Sequence, residues 1–260
     1  MKSKTNKKEN ETSWGKVAPW YDNLLKTDNT YQKDVILPNL LKIMEIKKEE
    51  NILDLACGQG FFTREYAKIS SNVLGADISP ELIKIAQDSS SNIKYISTPA
   101  NNLSQMGDKS IDKISIILAI QNIEDLNGTI KECSRIIKSG GKFYIVLNHP
   151  SFRVPKKSSW EYDNKSQIQY RRVERYMSEI MTKIDMNPGE SDYKNKKYTI
   201  SFHRPLHKYF DIFNKNNFAV SRLEEWISNK KSQIGPKQKA EDIARKEIPM
   251  FMCLELVKLK

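Results

Sequence analysis

Apolar positions along the first 150 residues switch repeatedly between two periods. Short apolar runs at 51–55, 72–76, 93–97, 111–119 and 142–148 read as buried strands. Between them, apolar side chains three and four apart mark helices at 61–70, 81–88 and 129–138, and a further helix at 31–46 precedes the first strand. Ser79-Pro80 supplies an N-cap and a first-turn proline for the 81–88 helix. Gly140-Gly141 reads as the C-cap of 129–138, and Pro38 as a kink inside 31–46. This alternation predicts a parallel sheet with helices on both faces and ligands at the carboxyl ends of the strands.

After residue 148 the pattern breaks. Residues 150–197 are rich in Arg, Lys, Tyr and Asn with little sustained period, apart from a short helix expected at 171–177. A stretch of that length is too long for an ordinary connection and reads as a functional insertion. Regular patterning then returns as a strand at 198–202, a helix at 205–215 and strands at 218–227 and 248–258. The polar, basic stretch 228–246 between the last two strands reads as a surface helix.

The most informative residues are Asn51–Gly60, Asn-Ile-Leu-Asp-Leu-Ala-Cys-Gly-Gln-Gly, where a strand runs into a glycine turn and a helix start. Without a Cβ, Gly58 and Gly60 let the backbone approach a ligand closely, and a helix start presents free N–H donors. The turn lacks the third glycine of the dinucleotide fingerprint and the Gly-Lys-Ser/Thr of a phosphate loop. Asp77 ends the next strand, near the ~20-residue spacing of a ribose-binding acid. Asp54-x-Ala56-x-Gly58-x-Gly60 with Asp77 resembles the first motif and the following acidic residue of class I S-adenosylmethionine-dependent methyltransferases.

That resemblance implies an α/β fold, a doubly wound Rossmann-like seven-stranded sheet with a terminal antiparallel hairpin. Residues 14–260 form the methyltransferase domain, with 151–197 as an inserted substrate cap and 1–13 as a disordered tail. The implied cofactor is S-adenosyl-L-methionine. Asp54 and the Ala56–Gly60 backbone would hold its amino-acid portion, Asp77 its ribose hydroxyls, and Ile78, Ala100 and Asn101 its adenine. Pro99 stands where the family usually has Asp. Leu118 and Gln121, after the fourth strand, would lie beside the methionine moiety; Gln121-Asn122 occupy a position that is His-His in many relatives. Ala18-x-x-Tyr21-Asp22 resembles the family's opening segment, which places Tyr21 in a flap over the cofactor, and Tyr31 lies near the cofactor on the helix before the first strand. The run Phe202-His203-Arg204-Pro205-Leu206 resembles a segment of bacterial small-molecule methyltransferases of the quinone and polyketide type.

Methyl transfer asks the protein mainly to align an activated donor with its acceptor and to exclude water. The acceptor should approach the ends of the fourth and fifth strands. His149 is the candidate general base there, titratable near neutral pH, with substrate contact alone as its alternative role. Asn148, Arg204, Tyr162 and Tyr170 are candidate substrate contacts. The chain lacks the Asn/Asp-Pro-Pro-Tyr/Phe signature after the fourth strand and the grouped carboxylates of a metal-dependent enzyme.

Composition adds a compartment and a second partner class. Cys57, Cys133 and Cys253 are odd in number and widely spaced, as in a reduced cytoplasmic protein. No apolar run approaches the ~20 residues of a membrane span. The net charge is +11, and residues 151–260 hold 23 basic against 14 acidic side chains. A basic second half suits an anionic small molecule or RNA. The leading expectation is methylation of a small organic acceptor at O, C or N. RNA or a ribosomal component is the runner-up, and a cofactor-binding protein without turnover a third. Nothing in the sequence bears on oligomeric state.

Overall fold

The computed structural model describes residues 14–15, 27–186 and 196–260. The 1–13 tail and Tyr21 therefore lie outside the described residues, as does part of the 151–197 insertion.

Five parallel strands build the first half: β1 (Asn51–Leu55), β2 (Asn72–Asp77), β3 (Lys94–Ser97), β4 (Ile111–Ile117) and β5 (Ile137–Asn148). β10 (Phe218–Trp226) and β11 (Phe251–Lys258) complete the sheet in the order β3-β2-β1-β4-β5-β11-β10, with β11 antiparallel to both neighbours. The order in which strands are added reverses at β1, between β2 and β4, and this leaves a crevice at their carboxyl ends.

The alternating side-chain direction of a strand divides the core between the two faces. Phe143, Ile145 and Leu147 join one cluster, with α4 (Leu126–Ile136) and α5 (Leu206–Lys215) through Ile130, Cys133, Tyr209 and Phe213. Tyr144 and Val146 join the other, with Leu40, Ile43 and Met44 of α1 (Leu37–Met44) and Phe62 and Tyr66 of α2 (Phe61–Ala67). The remaining helices are α3 (Pro80–Ser89) and α6 (Gln238–Glu247). Ser79 caps α3 as expected, its hydroxyl accepting from the Leu82 N–H at 3.3 Å.

Three expectations need correction. The helix before β5 ends at Ile136, not 138, and has no glycine cap; the chain passes directly into the strand. Pairing with β4 jumps from Ile111–Ile137 to Lys113–Lys142, so Gly140, at φ 76°, serves a bulge inside β5. The stretch 171–177 is not a helix. Arg171 lies in an antiparallel hairpin of β6 (Ser158–Asp163) and β7 (Ile168–Val173), where it sits opposite Trp160. The insertion also supplies β8 (Ile180–Asp185), paired with β9 (Tyr198–His203) outside the main sheet. Its polar alternation, with both faces partly wet, hides these strands from a search for apolar runs. Finally, Pro38 does not kink a continuous α-helix. Residues Gln32–Ile36 form a π-turn closed by the Leu37 N–H on the Gln32 carbonyl, and regular helix resumes around the proline. Proline carries no N–H, so the slip in the ladder falls next to the position that cannot donate.

Candidate functional site

The crevice is built on the turn that follows β1. Ala56, Gly58 and Gly60 have φ of 58°, 56° and 80°, three left-handed residues in five. The Cys57 N–H donates to the Ala76 carbonyl at 3.0 Å, and the Gly60 N–H returns to the Cys57 carbonyl at 3.0 Å. The Gly58 N–H donates to Asp77 Oδ2 at 2.9 Å, while the Ser79 N–H holds Oδ1 at 2.9 Å. The end of β2 thus fixes the turn that leaves β1. At Gly60 a Cβ would lie 2.6 Å from the Tyr95 hydroxyl, so space as well as φ selects glycine there.

Asp54 points into the same crevice from β1. Its carboxylate accepts from Thr63 Oγ1 at 2.6 Å and Ser115 Oγ at 3.1 Å. Burial pushes its pKa up to about 6, against the lowering effect of the two hydroxyls and with a further push from Asp77. Asp77 is raised too, chiefly by burial, with the Ser79 and Gly58 N–H groups opposing. Cys57, on the same wall, is held as a thiol by burial and by these two carboxylates.

The cavity between these groups is lined by Trp14, Asp54, Gly58, Asp77, Ile78 and Leu118 among others, and no basic side chain among the described residues faces it. Two buried carboxylates without a cation suit a positively charged ligand that also offers hydrogen-bond donors. S-adenosylmethionine, with its sulfonium, ammonium and ribose hydroxyls, fits that donor set, and the apolar wall of Ile78 and Leu82 suits its base.

A second cavity, of about 450 Å³, adjoins the first and shares Trp14, Leu118 and Asn122 with it. Leu118 has φ 54°, a strained turn at the end of β4 that puts it between the two spaces. Asn122 is held by a hydrogen bond from Nδ2 to the Ile200 carbonyl of β9 at 2.7 Å. Gln121 and Asn148 line the second cavity, with Arg153, Lys156 and Arg171 from the insertion. Its charge is opposite to that of the first: among the described residues it is lined by three cations and no carboxylate.

The remaining expected residues fall elsewhere. Asn101 donates from Nδ2 to Asp125 Oδ2 at 2.8 Å, and neither it nor Ala100 lines the crevice. The Tyr31 hydroxyl is bonded to Ser228 Oγ at 2.9 Å and its ring meets Phe251 edge-on, outside both cavities; its neighbour Gln32 reaches the second. Tyr162 bonds to Gln167 within its own hairpin, and Tyr170 is exposed. Arg204 is buried, donating from Nη2 to the Ile123 and Glu124 carbonyls at 2.9 and 2.7 Å. It thereby anchors the segment after β4 and lines only a small neighbouring space.

His149 is not positioned as a base. Its Nδ1 accepts from the Ser151 N–H at 3.3 Å, which leaves Nε2 to donate to Glu225 Oε1 at 2.8 Å. The ring is buried against Phe152, lines neither cavity, and burial lowers its pKa. The sequence reading placed the backbone of residue 149 correctly at the end of β5, but the side chain turns toward β10.

Two features escaped the sequence reading. Thr63 and Ser115, the hydroxyl clamp on Asp54, sit at ordinary helix and strand positions. Arg153 follows His149 by four residues in a stretch without periodicity, and only its place in the cavity distinguishes it.

Residues 53–145 match the family described as Methyltransferase domain. A demethylmenaquinone methyltransferase of Chlorobaculum tepidum is 36% identical over 136 residues, covering 50% of this chain and 55% of that protein. A ubiquinone biosynthesis O-methyltransferase of Xanthomonas oryzae is 28% identical over 98 residues, covering 36% of this chain and 41% of that protein. The chain thus spans about half the length of the curated relatives it matches. In fold it resembles an S-adenosylmethionine-dependent methyltransferase of Mesorhizobium loti, with a TM-score of 0.65 at 23% identity over 85% of this chain and 96% of that one.

Proposed function

We propose that this chain is a class I S-adenosylmethionine-dependent methyltransferase that transfers a methyl group to a small organic acceptor held in the second cavity, a reading supported by the match of residues 53–145 to the methyltransferase domain family. The observation that carries this reading is the shared wall. A carboxylate-lined cleft at the ends of β1 and β2 meets a cation-lined chamber at Leu118 and Asn122.

When bound, S-adenosylmethionine supplies a methyl group already activated by its sulfonium. Asp77 offers carboxylate lone pairs to ribose hydroxyls while its N–H partners keep it oriented. Asp54, clamped by Thr63 and Ser115, presents negative charge to the amino-acid end. Leu118 and Asn122 set the passage between donor and acceptor. Among the described residues lining the second cavity there is no histidine or carboxylate to act as a base, so this chain contributes alignment and exclusion of water more than proton transfer.

Residues 14–260 act as one unit in this reading, with 151–197 as the acceptor-side cap. Named relatives acting on quinone-type compounds support a small acceptor over RNA. Among the described residues no helix is long and apolar enough to cross a membrane. Three cysteines without disulfides suit the cytoplasm.

Incubation with methyl-labelled cofactor and a panel of hydroxylated, carboxylated and amino aromatic compounds tests the proposal. Label should pass to a small molecule; label found only in RNA would replace it with the runner-up. Tight cofactor binding without turnover on any acceptor class would favour a sensor.

A further inference from the structure

The charge lining the second cavity identifies the acceptor more closely than the fold does. Arg153 and Arg171 both lie over the Trp160 ring, their Cζ atoms 5.8 and 5.2 Å from its centroid. Arg171 is fixed by two bonds, from Nε to the Phe152 carbonyl at 2.9 Å and from Nη2 to Ser158 Oγ at 2.8 Å. Arg153 forms no side-chain hydrogen bond or ion pair among the described residues, and its Nε is buried without a partner. Lys156 faces the same space.

Two guanidinium groups near each other, half-buried and with no carboxylate lining their cavity among the described residues, are costly to maintain. Burial disfavours the charge on each, and they repel one another. Arginine does not escape by losing its proton at neutral pH, so the cost persists. A bound oxyanion would offset it, through the charge-assisted and often two-pronged hydrogen bonds that guanidinium forms with carboxylate or phosphate. The rest of the chamber is mixed, with Leu118, Val154 and Met250 among its apolar lining and Gln121, Asn148 and Thr199 among its polar lining. At about 450 Å³ it falls within the ~300–1,000 Å³ range of small-molecule sites.

We propose that Arg153 and Arg171, stacked with Trp160, form an oxyanion subsite in the acceptor cavity, so that the acceptor is a small molecule bearing one carboxylate or phosphate group. This specificity rests on the methyl-transfer reading for its meaning, but the subsite itself is measurable without cofactor. Arg153 is the specificity-determining residue, since its guanidinium has no structural bond to satisfy. Arg171 also supports the hairpin.

The test is ¹⁹F-NMR titration of the full chain with 4-fluorobenzoate, 4-fluorophenyl phosphate and neutral 4-fluorobenzamide. At least one of the two anions should bind ten-fold or more tightly than the amide, and the better anion tells carboxylate from phosphate. Arg153→Met should weaken the anion at least ten-fold and leave the amide unchanged. Arg153→Lys should restore part of the loss, because it returns charge without the fork. Equal binding of amide and anions, failure of both anions to bind, or an anion affinity indifferent to Arg153→Met would each overturn the subsite. Calorimetry with S-adenosylmethionine on the same samples separates the two claims. Intact cofactor binding with no anion binding removes only the subsite, whereas anion binding without cofactor binding removes only the methyltransferase reading.

Discussion

The Gly58 N–H donates to Asp77 Oδ2 at 2.9 Å, joining the turn after β1 to the last residue of β2. One carboxylate thereby holds the backbone of the cleft in shape and retains free lone pairs for a ligand. The same turn continues to Gly60, whose left-handed backbone and contact with Tyr95 leave no room for a side chain.

Gly60→Ala should therefore lower stability by roughly 2 kcal/mol or more, combining the left-handed penalty of ~1–2 kcal/mol with the clash. Chemical denaturation would measure it. Adding Tyr95→Phe removes the nearest atom, the hydroxyl at 2.6 Å, and should recover part of the loss. No recovery in the double variant would show that the backbone strain alone accounts for it.

Asp54 gives a pH dependence with a definite sign. Its folded-state pKa, about 6, lies above the ordinary value of 3.8. The protonated form is thus favoured by folding, and the associated stability is present below about pH 4 and lost as pH rises through about 6, on the order of 3 kcal/mol. Cationic ligand binding has the opposite preference, because it needs the carboxylate. S-adenosylmethionine should bind more tightly at pH 7.5 than at pH 5, and Asp54→Asn should flatten that difference while weakening binding at the higher pH. An equally steep pH dependence in Asp54→Asn would assign the titration to another group.

His149→Gln should leave the pH profile of single-turnover methyl transfer unchanged. Both ring nitrogens are already engaged, by the Ser151 N–H and the Glu225 carboxylate, and the ring lines neither cavity. A general base typically contributes ~10²–10⁴-fold, so a rate loss well under ten-fold is expected. A limb near neutral pH in the wild type that disappears in the variant would restore His149 as the base.

The contrast between His149 and Asp77 shows where sequence suffices. Asp77 is fixed by a strand, a turn and a spacing, all local, and the structure places it in the crevice where the spacing put it. His149 was placed by its strand alone. Which way its ring turns depends on Glu225, 76 residues later, and no periodicity encodes that. Likewise β1, β4 and the second half of β5 announce themselves because strands buried on both faces are largely apolar. β9 is legible as a strand at 198–202, but β6, β7 and β8 have partly wet faces carrying Arg, Lys and Tyr, and 171–177 reads as a helix instead. The acceptor cavity is built largely from that segment: Arg171 is legible only as a residue that could line the cap, and Arg153 carries no signal before the chain is folded.

The basic second half makes a further expectation measurable. Binding to RNA should be weak, indifferent to sequence and absent at physiological salt, as expected when affinity comes only from counterion release. Filter binding across a salt series would show it. Tight binding to one structured RNA that persists in salt would reverse the ranking of acceptors.

Calorimetric titration of the full chain with S-adenosylmethionine, on the wild type and on Asp77→Ala, tests the central claim most directly. The account predicts one saturable site in the wild type. In Asp77→Ala the affinity should fall by about 2 kcal/mol, roughly thirty-fold, as the ribose hydroxyls lose their shared acceptor and the Gly58 turn loses its tether. No binding by the wild type, or the same affinity in both proteins, would contradict the assignment of this cleft.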